Sequence, residues 1–381
     1  MLITAAILAI FVYGMIAAML GTILPDLSSR FKLTPAQNGT IALAQAIGLI
    51  IASLAVGPLI DYEGKKVGLL LGLTLITIAL FWLPNSKGYQ TIILALFLLG
   101  IGGGIIVTGA NALVSGISPA HRGTTLNLFN LFFGLGGLAT PFISANLLRR
   151  NSFRLCYTVA TLSGLTLLFH VVAPIPPPSG ARPQLWTGAG LIIGSPALWL
   201  MAAFLFLYVA SEVGVWNWLV RLLIAQGVPE ARALNVLSLG FALGLLLGRV
   251  AVAPVLGSVS ELTVLLAASI AMAIFTYLML QARTATAAWI LVFCAGIAMA
   301  PVFPTTLAVI GDTFTQMTAT AMGIVITCGW IGLAVSSRII GSIAGDDPRR
   351  LKKALLLLPG MAVAMIAISL VLRGMTPAAA H

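Results

Sequence analysis

Twelve apolar runs, each of bilayer-crossing length, follow one another along the chain with only short charged, Pro- or Gly-containing breaks between them. A helix that crosses a hydrocarbon core of about 30 Å needs about 20 predominantly apolar residues, and a soluble fold has no use for so many in succession. The first run reads as Leu2 to Leu24, the fifth as Thr124 to Leu148, the tenth as Ala285 to Ile310 and the twelfth as Ala354 to Leu372. Sixty per cent of the 381 residues are hydrophobic and 8% are charged. Mean hydropathy is +1.10. The chain therefore reads as an all-helical, multi-pass membrane protein surrounded by lipid, with no room for a soluble domain of ordinary size. Its amino terminus is apolar from Leu2, without a basic stretch or cleavage site before Asp26, so a retained first span is expected there in place of a signal peptide.

Charge and cysteine usage narrow the function classes. The formal charge is +11, but the basic residues are scattered in short loops with no basic helix or stripe, which excludes nucleic acid as a partner. Cys156, Cys294 and Cys328 all lie in apolar runs, so neither a disulfide framework nor a metal cluster is expected. Three scattered His and isolated acids supply no catalytic constellation, so the chain is expected not to be an enzyme and to need no cofactor.

The two halves echo each other. Ala46 to Leu59 (AIGLIIASLAVGPL) matches Ala242 to Val255 (ALGLLLGRVAVAPV) at an offset of 196 residues, and Gly137-Leu138-Ala139 matches Gly332-Leu333-Ala334 at an offset of 195. Two matches at nearly one offset predict a duplicated six-helix unit, the parallel repeat of secondary transporters, with a site at the midplane between the halves. A Pro-rich, then Gly-containing stretch divides them. The expected organisation is a six-helix bundle over 1–174, a cytoplasmic linker over 175–195 and a second six-helix bundle over 196–381.

Within the seventh run, Phe204 to Trp218 carries Glu212, the one carboxylate of nine that lies well inside an apolar segment. A charge at membrane depth costs roughly 2.5–3.5 kcal/mol even on the lenient insertion scale, so it normally faces a cavity and is functional. Tyr208, Glu212 and Trp216 fall on one helical face, an acid between two aromatics. Glu212 is the expected carrier of a coupled proton, with Asp26, at the outer end of the first run, as the weaker candidate. The plain alternative is a protonated Glu held by a neighbouring helix.

Other polar residues at depth extend the list of candidates. Thr108, Asn111 and Ser115 share one face of the fourth run, and Asn127 and Asn130 align with Gly134 in the fifth. With Gln45 in the second run, these amides suit the hydroxyls of a sugar or a carboxylate; equally, they can join helix to helix. Thr327, Trp330, Ala334 and Arg338 share a face of the eleventh run. Arg338 there suits an anionic ligand or snorkels to the interface. Arg249 is expected in a structural ion pair or gate with Asp312 as partner, and His121 and Arg122 read as interfacial loop.

Between the second and third runs stands Gly57-Pro58-Leu59-Ile60-Asp61-Tyr62-Glu63-Gly64-Lys65-Lys66. Gly57 permits close helix approach, Gly64 turns the chain, Asp61 can meet a helix end, and Lys65 and Lys66 sit at the interface. Read as G-x-L-x-D-x-x-G-K-K, the stretch resembles the signature loop of the major facilitator superfamily, in the position where that family carries it. Tyr62 stands where the family often has Arg. The motifs Tyr208 to Trp218, Gly244 to Arg249, Ala300-Pro301-Val302-Phe303-Pro304, Leu126-Asn127 and Phe133-Gly134 resemble the fucose-permease-like branch. The resemblance implies a twelve-span fold of two pseudo-symmetric halves and a proton-coupled symporter with sugar-type substrates. It also implies acids in the first and fourth spans. Here Asp26 lies only at a span end, and the fourth run has Val107 and Thr108 in place of an acid.

By the same resemblance the signature loop is cytoplasmic, which puts both termini inside. Five basic residues then fall inside (Lys65, Lys66, Arg122, Arg182 and Arg373). Twelve fall outside: Arg30, Lys32, Lys87, Arg149, Arg150, Arg154, Arg232, Arg283, Arg349, Arg350, Lys352 and Lys353. The positive-inside rule predicts the reverse; the loop motif is preferred because it belongs to one loop of a duplicated fold, and a basic outer rim would concentrate anions. The expectation is a monomeric secondary transporter of a bacterial inner membrane, moving a small polar solute with protons. Organic anions and amphipathic compounds are the rival substrates, and a receptor is the rival from another class.

Overall fold

The computed structural model describes residues 1–149, 151–177, 190–282, 284–345 and 348–375. Part of the expected linker, along with Arg150, Arg182 and Arg283, lies outside the described residues.

Among the described residues twelve helices are long and apolar enough to span a membrane. They are α1 (Leu2–Phe31), α2 (Pro35–Glu63), α3 (Lys65–Asn85), α4 (Tyr89–Ile117), α5 (Pro119–Leu147) and α6 (Ser152–Val172). After the middle of the chain come α7 (Pro196–Ala225), α8 (Glu230–Gly257), α9 (Glu261–Gln281), α10 (Ala285–Thr313), α11 (Thr318–Ala344) and α12 (Arg349–Met375). Helices form here because hydrocarbon leaves backbone N–H and C=O groups no partner but each other. Ends are closed by polar residues in short loops. Thr34 and Gln37 form a reciprocal capping box at α2, where Pro35 occupies the first turn. Asn151 accepts from the Arg154 N–H at α6, and Thr284 accepts from the Ala287 N–H at α10.

Several spans are irregular. α5 ends in a π-helical turn, Ile143–Leu147. α8 contains a π-helical stretch, Val236–Ala242, before it resumes as Leu243–Val252. α10 breaks between Met299 and Val302, where Pro301 cannot donate to the helix ladder. Wider π turns change the phase of a helix and are frequent beside functional sites.

The contacts group the chain into two units. One comprises Met1–Pro119, Phe129–Ile192 and Phe314–Thr327; the other comprises Ala120–Leu128, Ile193–Thr313 and Cys328–His381. The start of α5 thus groups with the later helices, and the start of α11 with the earlier ones.

Inside each unit the helices meet backbone to backbone at glycines. A methyl group at Gly48 of α2 would overlap the Phe97 carbonyl of α4, and one at Gly244 of α8 would overlap the Phe293 carbonyl of α10. Gly100 is likewise seated on the Gln45 carbonyl, and Gly296 on the Phe241 carbonyl. Each pair maps onto its counterpart by a shift of 196 residues (48 to 244, 97 to 293; 45 to 241, 100 to 296). Such close crossings favour weak Cα–H···O contacts of roughly 0.5–1 kcal/mol, the usual adhesive between helices in lipid. In α5 and α11 the equivalent seats are Gly136 on Phe11 and Gly332 on Phe206. The glycines of this pair are 196 residues apart and their phenylalanine partners 195.

Candidate functional site

The signature loop closes a helix end, as expected of Asp61, and that end is the start of α11. Gly64 turns the chain with φ 104° between α2 and α3, a conformation that disfavours any side chain. One turn before it, Asp61 reaches the first turn of α11. Its Oδ1 accepts from the Ala319 N–H (3.1 Å), and its Oδ2 accepts from the Thr320 N–H (2.8 Å) and the Thr320 hydroxyl (2.7 Å). These are orphan donors at the positive end of the helix dipole, where a carboxylate is most stabilising. Gly57 makes the approach feasible, because a Cβ there would lie 2.5 Å from the Thr320 Cα and 2.7 Å from the Ala319 carbonyl oxygen. Lys65 adds its charge beside Asp61. Lys66 donates to the Val171 (2.7 Å) and Ala173 (3.1 Å) carbonyls and so closes the end of α6.

The corresponding place in the second unit is built differently. The Thr124 hydroxyl of α5 donates to the Ala253 carbonyl at the end of α8 (2.9 Å). Arg122 forms an ion pair with Asp312. This corrects two expectations. Arg122 is a buried residue opening the helical part of α5, not loose interfacial loop. Asp312 has Arg122 as its cation in place of Arg249, and the second charge acting on it is Glu261 of α9. The sequence separation of this pair, 190 residues, left no local signal to find it by.

Arg249 belongs to the α7 column. Tyr208 is completely buried and its hydroxyl makes no well-formed hydrogen bond; the charges that reach it are Glu212, one turn along α7, and Arg249 of α8. Glu212 is half-buried, and Arg249 is 7% exposed. One turn beyond Glu212, Trp216 meets Phe241 edge to face, with ring centroids 5.3 Å apart. Phe241 sits in the π-helical stretch of α8, which sequence periodicity did not reveal. The assembled group holds a titratable acid, a cation, a phenol hydroxyl and two apolar rings within one unit. It can orient hydroxyls and cover an apolar face of a solute.

The amides are engaged between helices. Asn130 donates to the Asn111 side-chain oxygen (2.8 Å), while the Asn111 amide donates back to the Val107 carbonyl (2.7 Å). The Asn127 amide donates to the Gly123 carbonyl (2.9 Å) and the Thr305 hydroxyl of α10 (3.0 Å), and its oxygen is buried without a partner. Gln45 is half-buried. In α11, Trp330 is half-buried with its indole N–H unpartnered, whereas Arg338 two turns on is exposed. Asp26 is exposed near the end of α1. Among the described residues no group of three or more His, Cys, Asp or Glu gathers as a metal site would require.

Residues 6–337 match the sequence model of the Major Facilitator Superfamily. The 4-hydroxybenzoate transporter PcaK of Pseudomonas aeruginosa is 29% identical over 178 residues, covering 46% of this chain and 39% of that protein. The L-fucose-proton symporter of Escherichia coli K12 is 31% identical over 134 residues, covering 34% and 30%. The chain thus aligns with well under half the length of either transporter. In three dimensions it is similar to FucP, the fucose:proton symporter of E. coli, in its outward conformation, with a TM-score of 0.85 at 18% identity over 97% of this chain and 98% of that one.

Proposed function

Because the chain belongs to the major facilitator superfamily, we propose that it is a proton-coupled symporter of a small, sugar-like polar solute, with Glu212 as the proton carrier. The coarse activity follows from the family: a multi-pass integral membrane protein that is a secondary transporter and not an enzyme. The observation that carries the finer reading is the α7 column, in which Glu212 lies between a buried Tyr208 and the Trp216–Phe241 ring pair, with Arg249 on the same tyrosine. A carboxyl in such a setting changes its interactions with solute and tyrosine when it gains or loses a proton, which links solute affinity to pH. The rings offer apolar faces to the C–H side of a sugar, and the acid and phenol offer partners to its hydroxyls. Likeness to an L-fucose-proton symporter in sequence and to FucP in fold supports the same reading. The bacterial relatives support a bacterial inner membrane as its location, and we take the monomer, moving by alternating access between halves at 1–174 and 196–381, as the working unit.

Two measurements test this reading. Purified protein should gain thermal stability from neutral sugars in a pH-dependent manner, since a ligand of the folded state stabilises it by mass action. Adding that sugar to proteoliposomes should also make the bath more alkaline. Stabilisation with no proton movement would overturn the coupling. Orientation is checked by single cysteines at two exposed positions, one at the end of α2 and one in the loop after α3. Glu63→Cys should react with impermeant reagents from the cytoplasmic side, and Lys87→Cys from outside; the reverse pattern would move the basic rim to the cytoplasm.

A second reading, transport of a small organic anion, is favoured by likeness to a 4-hydroxybenzoate transporter and by Arg338 on the helix of Trp330. If it holds, Arg338→Gln weakens binding of a carboxylate by about tenfold or more, the scale of a lost charge-assisted hydrogen bond, and leaves a neutral analogue unchanged. Equal, small effects on both would return the choice to the sugar.

A further inference from the structure

The second unit contains an amphipathic furrow that the transport reading does not use. At one end a cavity of about 360 Å³ is lined by Arg349, Lys352, Lys353 and Leu356 at the start of α12, with Gln281 at the end of α9 and Leu222 of α7. Lys352 donates to the Gln281 side-chain oxygen (3.0 Å), which fixes its ammonium at the cavity. A second cavity, of about 430 Å³, is lined by Ile274, Tyr277 and Leu278 of α9 and Pro359, Gly360 and Val363 of α12.

Helical spacing joins the two. On α9, Gln281, Leu278, Tyr277 and Ile274 form one stripe; on α12, Gly360 and Val363 share a face, and Lys352 and Leu356 precede them across a turn at Leu355–Leu356. Both cavities are lined by α9 and α12, the first also by α7, and they follow one another along these two helices. From Lys352 to Val363 the furrow runs about 16 Å at 1.5 Å per residue, close to half of a hydrocarbon core of about 30 Å. Its far end is apolar and open, with Ile274, Tyr277 and Val363 all strongly exposed. Its near end gathers Arg349, Lys352 and Lys353, three of the four cations in residues 349–353.

Interfacial cations and lipid-facing grooves are each ordinary in membrane proteins. Here the cations open into a groove one acyl chain long, and that juxtaposition fits an amphiphile with an anionic head. Asp346 and Asp347, the acids next to this cluster in sequence, lie outside the described residues.

We propose that the furrow binds one anionic phospholipid, its phosphate held by Arg349, Lys352 and Lys353 and an acyl chain laid between α9 and α12. The site would explain the use of a basic cluster at this end of the helices without reference to transported solute. Charge complementarity selects the lipid class.

The test is native mass spectrometry of the full chain in detergent. It is titrated with dioleoylphosphatidylglycerol, with dioleoylphosphatidylcholine, and with sn-glycerol 3-phosphate as a headgroup without chains. The parent protein should retain one phosphatidylglycerol at concentrations where the zwitterionic lipid is lost. Replacing Arg349, Lys352 and Lys353 together by Gln should weaken retention roughly a hundredfold, about fivefold per charge at a membrane surface. A second variant, Gly360→Leu, fills the groove and leaves every cation in place. Nothing lies within 4 Å of a Cβ at Gly360, so the fold accepts the side chain. It should lose phosphatidylglycerol about tenfold through lost chain burial. Equal retention of the two lipids would overturn the proposal, as would an unchanged triple variant. Displacement of the lipid by glycerol phosphate at equal concentration would also overturn it, by making the cluster a site for soluble anions.

Discussion

Proteoliposomes carrying Glu212→Gln are expected to lose uphill, pH-driven solute accumulation down to the level of empty vesicles, while exchange of labelled for unlabelled solute continues. Glutamine keeps the shape of the side chain and can hydrogen-bond solute, but has no proton to release. Coupling and binding therefore separate in this variant. Asp26→Asn serves as the control, because Asp26 is exposed near the end of α1, and accumulation there should match the parent. If the Gln variant concentrates solute with the parent's pH dependence, the coupling site lies elsewhere. The other candidate carboxylates within helices are then Asp61, committed to the start of α11, and Asp312, committed to Arg122.

Asp61→Asn is expected to loosen the start of α11. The carboxylate serves three donors, two N–H groups and a hydroxyl, from two oxygens. An amide presents one oxygen and turns an NH2 group toward the remaining donors, so the loss is roughly 2–4 kcal/mol by the usual scale of hydrogen bonds to charged acceptors. The readouts are a lower Tm in detergent and faster alkylation of a cysteine placed at Ala319, which the parent fold buries. Gly57→Val should act in the same direction through sterics alone, since its Cβ would begin 2.5 Å from the Thr320 Cα. An unchanged Tm together with unchanged alkylation in both variants would show that the contact contributes nothing to holding α11.

The spans were readable from the sequence because lipid imposes one rule on every segment: a long apolar run must become a helix. The first run ends by composition at Leu24, yet α1 continues to Phe31, because Pro25 lies within a helix that goes on beyond its apolar stretch. Glu212 was readable because a carboxylate is conspicuous among apolar neighbours. The tertiary partners were not. Arg122 looked like loop because it follows Pro119 and His121, and only the fold brings Asp312 to it. Asn111 and Asn130 advertise hydrogen bonding at depth, but sequence does not tell a ligand from another helix, and the structure joins them to each other. Phe241 gave no signal, since a π-helical stretch breaks the 3.6-residue period by which its face would be assigned.

The paired glycine seats bear on how a duplicated protein drifts. At Gly48 and Gly244 the partner is a carbonyl group, the same in every amino acid, so what is required of the facing residue is an absence of bulk on one side only. Phe97 and Phe293 are free in kind where they are fixed in place. Exposed apolar positions such as Leu43, Ile47, Ile51 and Leu54 on α2 are freer still, because little of the fold packs against them. Ancestry can fade from nearly every side chain in such a molecule and still persist as a spacing between places where nothing may grow.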